Sequence, residues 1–352
     1  MEFQGIYEEI NWKEMETQLE SLFPQWEWSF SQMIKEVYME NGEGLIEVIV
    51  KNVQKLFLGE YVQVKQVALT IVVVILVSAI FVTFKDAFQN HQIAEISFYI
   101  NYLILIILFI HLFSETLQLG EEALKKIEQF MRIFFPTFAL VLGTSAGSAT
   151  GVLYYQLSGI VIYLVEKCLL SIVLPGISIF MLYTIMNGIW EEEKLSLMLD
   201  FIKKSLKFVL KIILGILTGT SLMQSLITPV IERVKGETIY QAVESIPGLG
   251  DFTEGAMRIG LGSAVIIKNS IGIVGCIFLL LVSLAPLIRI FIMGSMLKLM
   301  AAVLSLVGDK KMIKCTSQVG DGIFLVLQTV GYGVLFFVVL IAIAAYTTNG
   351  GI

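Results

Sequence analysis

The chain has 352 residues, of which 56% are hydrophobic and only 15% are charged, whereas soluble domains carry about 25% charged residues. This composition, together with several uncharged runs of membrane-spanning length, excludes an ordinary soluble protein and indicates an integral membrane protein. Residues 1–66 hold 12 acidic and 5 basic side chains, a balance that argues against nucleic-acid binding by this region.

The N-terminal region, residues 1–66, is predicted to be acidic, amphipathic and helical. Apolar residues recur at helical spacing between Asn11 and Pro24, near Ser29 to Met39, and over residues 45–57. The chain opens without a basic or apolar leader, so no secretory signal is predicted.

Residues 67–132 are predicted to hold two transmembrane helices and one interfacial helix. The spans run from Val67 to Phe84 and from Ile96 to Phe113. Residues 117–132 alternate charge and leucine at helical period, which is typical of a helix that lies at the membrane surface.

Residues 133–227 form the first predicted membrane repeat. An apolar run from Ile133 to Val165 is too long for one span and contains the small-residue tract GTSAGSATG, which predicts a broken span or a re-entrant hairpin. A span over 168–189 follows, with Pro175 in its first half. An amphipathic stretch over 195–207 then leads into a span over 208–227.

The second predicted membrane repeat, residues 256–352, follows a polar connection over 228–255. A second broken region is predicted over 256–288, with spans over 290–307 and 322–346. The expected fold is therefore all-α and polytopic, with about seven or eight spans and two broken or re-entrant regions.

An internal duplication is predicted from a displacement of 111 residues, which places Pro175 over Pro286 and Ile202-Lys203 over Ile313-Lys314. The two units share the order of a break, a proline-containing span, an amphipathic stretch and a final span. If each unit has an odd number of crossings, the two are inverted relative to each other.

Three glycines in the first broken region, Gly143, Gly147 and Gly151, are spaced four residues apart. On a helix they form a stripe that allows two backbones to approach closely. The alternative is an unwound segment that presents backbone groups to a solute. Helix packing is the more frequent role of such a stripe.

Ionisable residues inside apolar runs are costly and are candidates for a pathway. Here they are His111, Glu166, Lys167, Lys268, Arg289 and Lys298. Lys268 and Asn269 stand out because a charge coincides with the second predicted break, and Lys298 is next. Gly260, Gly262 and Pro286 complete the candidates in this region.

No catalytic, cofactor or metal site is predicted. The chain lacks a Walker-type glycine loop and an HExxH motif. Its cysteines, Cys168, Cys276 and Cys315, lie far apart, and it has only two histidines, His91 and His111. The protein is therefore not expected to be an enzyme, to bind zinc or to form disulfides.

The stretch Phe135 to Gln156 resembles the stage III sporulation protein AE family. So does the longer run from Gly255 to Met312, which includes IGLGSAVIIKNSIGIVG, LAPLIRI and GDKKM. The likeness covers most of residues 60–346. One departure is the missing leader, since family members usually begin with a cleavable signal.

The resemblance implies a multi-pass protein of the mother-cell membrane that surrounds the forespore. Its implied partners are the other products of the stage III sporulation A operon, including the ATPase and ring-forming subunits, and a forespore-side partner. Together they would form a trans-envelope channel or secretion-like complex needed for forespore development. The alternatives are a stand-alone secondary transporter of a small solute and a non-conducting scaffold of the complex.

Overall fold

The computed structural model describes residues 30–39, 91–146, 148–189, 195–216, 250–306 and 310–347, together with short pieces between residues 16 and 80. Apart from short turns, these residues are helical and include no strand. For the described part of the chain, the predicted all-α architecture is confirmed.

The helices follow one another in a simple order. They are α1 (Phe30–Met39), α2 (His91–Ala146), α3 (Ser148–Cys168), a π-helical turn (Leu169–Val173), α4 (Leu174–Ile189), α5 (residues 196–216), α6 (Gly250–Leu304) and α7 (Lys310–Thr347).

The predicted helix near Ser29 to Met39 is present as α1, and it is anchored in the core. Phe30, Met33 and Ile34 are buried, as expected for the apolar face of an amphipathic helix. The Phe30 ring makes edge contacts with Phe134 of α2 and Phe278 of α6.

One continuous helix, α2, contains the predicted second span, the predicted interfacial segment 117–132 and the start of the first broken region. The interfacial segment is therefore not a separate helix. Its apolar residues continue the helical spacing of the buried face, with Ala123, Leu124, Ile127, Phe130 and Met131 all in the core.

The first predicted break is present as a helical hairpin. α2 ends at Ala146 and α3 begins at Ser148, and the two helices pack against each other. The Arg132 guanidinium of α2 lies 3.9 Å from the carboxylate of Glu166 in α3. Because these residues are nearly equidistant in sequence from residue 147, the arms run antiparallel.

Pro175 lies directly after the π-helical turn that joins α3 to α4. In this turn the Leu174 N–H bonds to the Leu169 carbonyl, five residues earlier. A π-turn inserts an extra residue into the helix, so α3 and α4 continue as one long helix past the proline.

The second predicted break, over 256–288, is wrong: α6 is a continuous helix from Gly250 to Leu304 with Pro286 inside it. Gly272 and Gly275 of this helix serve close packing. A Cβ at Gly272 would lie 3.5 Å from the Phe138 ring, and a Cβ at Gly275 would collide with the Phe134 ring. Glycine patterns for packing and for breaks look alike in sequence.

α7 is the central helix of the bundle. It packs against α2, α3, α4 and α6, and among the helices of spanning length it has the largest buried share. Gly272 of α6 faces Ala345 near one end of α7, while Lys298 of α6 bonds to Ser317 near the other. α6 and α7 therefore run antiparallel.

α4 also runs antiparallel to α7, since Phe180 lies beside Gly322 and Leu169 beside Gly333. α4 and α6 therefore run in the same direction. The hairpins α4–α5 and α6–α7 are thus not inverted relative to each other. The two aligned prolines also differ, because only Pro175 follows a π-turn. The duplication itself stays a prediction.

Among the described residues, four helical stretches are long and apolar enough to cross a membrane: Tyr99–Gly143, Tyr155–Gly188, Asn269–Leu304 and Lys310–Ala345. Half of the predicted span over 67–84 lies outside the described residues, as do most of the polar connection 228–255 and the second half of the span 208–227. The total number of spans and the domain boundaries stay predictions.

Candidate functional site

A cluster of three charged side chains joins α5, α6 and α7 in the apolar bundle. The Asp321 carboxylate accepts hydrogen bonds from Lys203 Nζ at 2.9 Å and pairs with Lys298 Nζ at 2.6 Å. Lys298 also donates to the Ser317 hydroxyl at 2.9 Å. The side chains are 29–34% exposed, so partial burial strengthens both pairs.

A glycine allows Lys298 to reach this cluster. A Cβ at Gly320 would lie 3.3 Å from three carbons of the Lys298 side chain, so the aliphatic stem packs closely against α7 at this glycine. The cluster carries one net positive charge, and it ties three helices together at one level of the bundle.

A second ion pair joins α6 to α2, between Arg289 and Glu115. Arg289 lies nearer the middle of α6 than Lys298 does. The Nε atom of Arg289 is buried without a hydrogen-bond partner among the described residues. Both charges of the pair point inward, between helices, and this arrangement keeps the outer surface of α6 free of them.

The outer surface of α2 carries a continuous row of polar side chains, here called the polar stripe. It consists of His111, Ser114, Gln118, Glu121, Glu122, Lys125, Lys126, Gln129 and Arg132, all exposed. Inserting one such charge into hydrocarbon costs about 2.5–3.5 kcal/mol. Lys125 pairs with Glu121 at 2.6 Å within the stripe.

The predicted glycine stripe lies at the tip of the α2–α3 hairpin. Gly143 is in the last turn of α2 and is partly buried, Gly147 lies outside the described residues, and Gly151 is in the first turn of α3. The alternatives of helix packing and solute contact stay open at this tip.

The candidates of the second predicted break do not form a common site with Lys298. Gly260, Gly262 and Lys268 lie in the first part of α6, where only the helical backbone is described. Asn269 is half-buried one residue further on. Pro286 and Lys298 lie about 26 Å and 44 Å along the helix from Asn269, at 1.5 Å per residue.

Sequence reasoning identified Lys298 but missed its partners, Asp321 and Lys203, and also missed Glu115. Asp321 was placed just outside the last span, which in fact begins at Lys310. The sequence does indicate that Asp321 belongs to the helix. Polar residues recur at helical spacing ahead of the apolar run, at Lys314, Ser317 and Asp321.

The described residues contain no group of three or more potential metal-ligating side chains. The thiols of Cys168, Cys276 and Cys315 are not in disulfides. Chemically, the site offers fixed charges and hydrogen-bonding groups that can hold helices together or line a polar path.

Comparison with known proteins gives one consistent result. The family model for stage III sporulation protein AE matches residues 28–348. Stage III sporulation protein AE of Bacillus subtilis (strain 168) is 21% identical over 272 residues, which cover 76% of this chain and 67% of that protein. No solved structure matches the chain.

Proposed function

The chain belongs to the stage III sporulation protein AE family, and from this premise we propose that it is a permease-like membrane subunit of a trans-envelope complex between mother cell and forespore. We place it in the mother-cell membrane around the forespore as a multi-pass protein. Its proposed partners are the ATPase and ring-forming products of the stage III sporulation A operon and a forespore-side protein.

The observation that best supports a subunit of a complex is the distance between the exposed apolar residues that flank the polar stripe on α2. On α2, Leu103 and Leu140 are 58% and 68% exposed. They lie about 55 Å apart along the helix at 1.5 Å per residue. A bilayer core is about 30 Å thick. Even if α2 is tilted by about 40°, Leu103 and Leu140 are still roughly 43 Å apart along the bilayer normal.

Apolar surface beyond the bilayer has to be covered by protein, because large exposed apolar patches are rare on soluble surfaces. A stand-alone transporter would leave this surface in water, whereas a subunit of a larger complex would bury it against its neighbours. The length of α2 therefore favours the complex over the stand-alone transporter.

α5 offers a second surface for a partner. Its core face is formed by Leu199, Leu206 and Leu210, and its outward side exposes Phe201 and Phe208 with three lysines, Lys204, Lys207 and Lys211. A basic face with exposed aromatic rings suits an acidic partner surface. We propose that α5 and the N-terminal helices dock other subunits.

The scaffold alternative gains support from two findings. The second predicted break is absent, and Lys298 is bonded to Asp321 and Ser317. Both features leave fewer groups for gating a path through a single chain. In neither function does the chain act as an enzyme or need a cofactor; energy would come from the partner ATPase.

Purification of the tagged full-length chain from sporulating cells tests the proposal. We expect the ATPase and ring-forming subunits to co-purify, and we expect Leu140→Ser to reduce their recovery. The proposal fails if the chain purifies alone from cells that express the whole operon. Solute uptake by the purified chain in vesicles would then support the stand-alone transporter.

A further inference from the structure

The polar stripe of α2 has the length of a bilayer core. From His111 to Arg132 it covers 21 residue steps, or about 32 Å at 1.5 Å per residue. The side of α2 that faces the bundle is mostly apolar over the same range, with the buried residues Leu112, Leu124 and Phe130, and it also holds Glu115 and the buried Glu128. The stripe is therefore a polar strip on the outer side of α2.

Contacts between helices show which residues of the other helices lie at the same level as the stripe, meaning the same height along the helix axes. Thr116 of α2 meets Met293 of α6, and Phe130 meets Phe278. Residues 278–293 of α6 are thus level with residues 116–130 of α2. In this part of α6, Leu280 and Phe291 are exposed, and the only charged residue, Arg289, points inward to Glu115.

The outward side of α4 is also apolar at this level, whereas α3 places Glu166 beside Arg132 and exposes Lys167, and α5 exposes Lys207. Gly333 of α7 lies beside both Leu124 of α2 and Leu169 of the π-turn, and Ile172 and Ile179, which follow Leu169, are exposed. At one level of the bundle, α4 and α6 therefore present apolar side chains outward while α2 presents charged ones. The apolar faces suit lipid at this level, whereas the stripe does not.

We propose that the polar stripe faces the same stripe on further copies of this chain, so that several copies enclose a water-filled lumen lined by α2. Charged side chains at membrane depth are tolerated when they face a bundle interior or a water-filled cavity. This inference deepens the proposed function and rests on it, since it places the passage between copies of the subunit.

The charge pattern of the stripe fits a second copy. The acidic pair Glu121-Glu122 and the basic pair Lys125-Lys126 lie one helical turn apart. Copies with the same orientation can pair the acids of one chain with the lysines of the next. A stripe of a single charge sign would instead repel its copies.

The apolar ends of the same face also fit this assembly. Leu103 and Ile107 precede the stripe and Leu140 follows it, and all three are exposed. At helical spacing these residues continue the stripe on the same side of α2. Contacts between neighbouring copies at these ends would hold the copies together on either side of the polar section.

The first experiment measures assembly of the purified full-length chain in lipid nanodiscs and in detergent. We expect masses that are multiples of the 39.3 kDa chain. In a background without the native cysteines, Gln118→Cys should form cross-links between copies. The matched control is Leu280→Cys, which is exposed on α6 within the part that is level with the stripe and should form none. A monomeric chain, or cross-links through Leu280→Cys alone, would overturn the proposal.

The second experiment measures water access with a charged thiol reagent that does not cross membranes. We expect Gln118→Cys to react at least about 10-fold faster than Leu280→Cys, because thiols form the reactive thiolate poorly in apolar surroundings. Equal reaction rates for the two cysteine variants would contradict the water-filled lumen. If the reagent reacts quickly with Gln118→Cys in a chain that is monomeric, the proposed self-assembly is wrong. The stripe then faces another partner or bulk water.

A charge exchange separates assembly from folding. Glu121→Lys with Glu122→Lys should reduce the assembled fraction, and adding Lys125→Glu with Lys126→Glu should restore it. Failure of the exchange to restore assembly would count against the proposed pairing. All of these measurements use the pure chain, so their failure is distinct from a failure of co-purification in sporulating cells.

Discussion

Asp321→Asn tests whether the three-charge cluster holds the bundle together. The substitution keeps the shape of the side chain but leaves Lys203 and Lys298, at 2.9 Å and 2.6 Å from the carboxylate, without a negative partner. Removing one member of a buried pair costs about 3–5 kcal/mol. Because the side chains are 29–34% exposed, solvent screening reduces the expected loss to about 2–3 kcal/mol.

Thermal unfolding of the detergent-solubilised chain measures this loss. We expect Asp321→Asn to lower Tm by about 5 °C or more. Lys125→Gln is the matched control, since its pair with Glu121 is also 2.6 Å long but is 54% and 51% exposed; it should cost about 0.5 kcal/mol or less.

A further variant separates the loss of charge pairing from a local packing defect. In the Asp321→Asn background, Lys203→Met with Lys298→Met removes both unpaired charges while keeping the length of the side chains. We expect this variant to recover most of the lost stability. An unchanged Tm for Asp321→Asn, or no recovery on removing the lysines, would refute the reasoning.

The remaining predictions concern packing. Gly275→Ala should destabilise the chain by about 1–3 kcal/mol because its Cβ collides with the Phe134 ring, whereas Gly331→Ala, with nothing within 4 Å, should be neutral or stabilising in the same unfolding assay. Phe30→Ala should cost about 3–5 kcal/mol and make the region around α1 more sensitive to limited proteolysis; unchanged cleavage would contradict the docking of α1. Cysteines at Arg132 and Glu166 should be joined by a short bifunctional reagent within one chain, and their failure to react would contradict the hairpin.

The sequence was sufficient for the parts of the fold that depend on local patterns. Apolar periodicity located α1 and the apolar segments of α4 and α7, and the small-residue tract located the turn between α2 and α3. In each case the signal lies within one element, where hydrophobicity and helical spacing decide the outcome.

The prediction from sequence was wrong where the same residues are compatible with two different structures. The glycines and Pro286 of residues 256–288 predicted a break, but Gly272 and Gly275 accommodate phenylalanine rings from α2 and the helix continues past the proline. Tertiary packing decides between these outcomes, and the ring that fills the space lies more than 130 positions away in the chain.

The candidate site was predicted only in part for a similar reason. Lys298 stood out as a charge within an apolar run, but its partner Asp321 lies just outside the predicted span 322–346. Lys203 reaches the same carboxylate from 118 positions away. A single sequence gives no information on which distant charges meet, so the cluster required the three-dimensional arrangement of α5, α6 and α7.

Deletion of the gene in its own spore-forming host, with forespore development scored by microscopy, tests the central claim most directly. A tagged copy that restores development reports the location of the protein. The account predicts an engulfed forespore that then arrests, with the tag in the membrane around it. Normal spores from the deletion strain, in the absence of a second copy of the gene, would contradict the account.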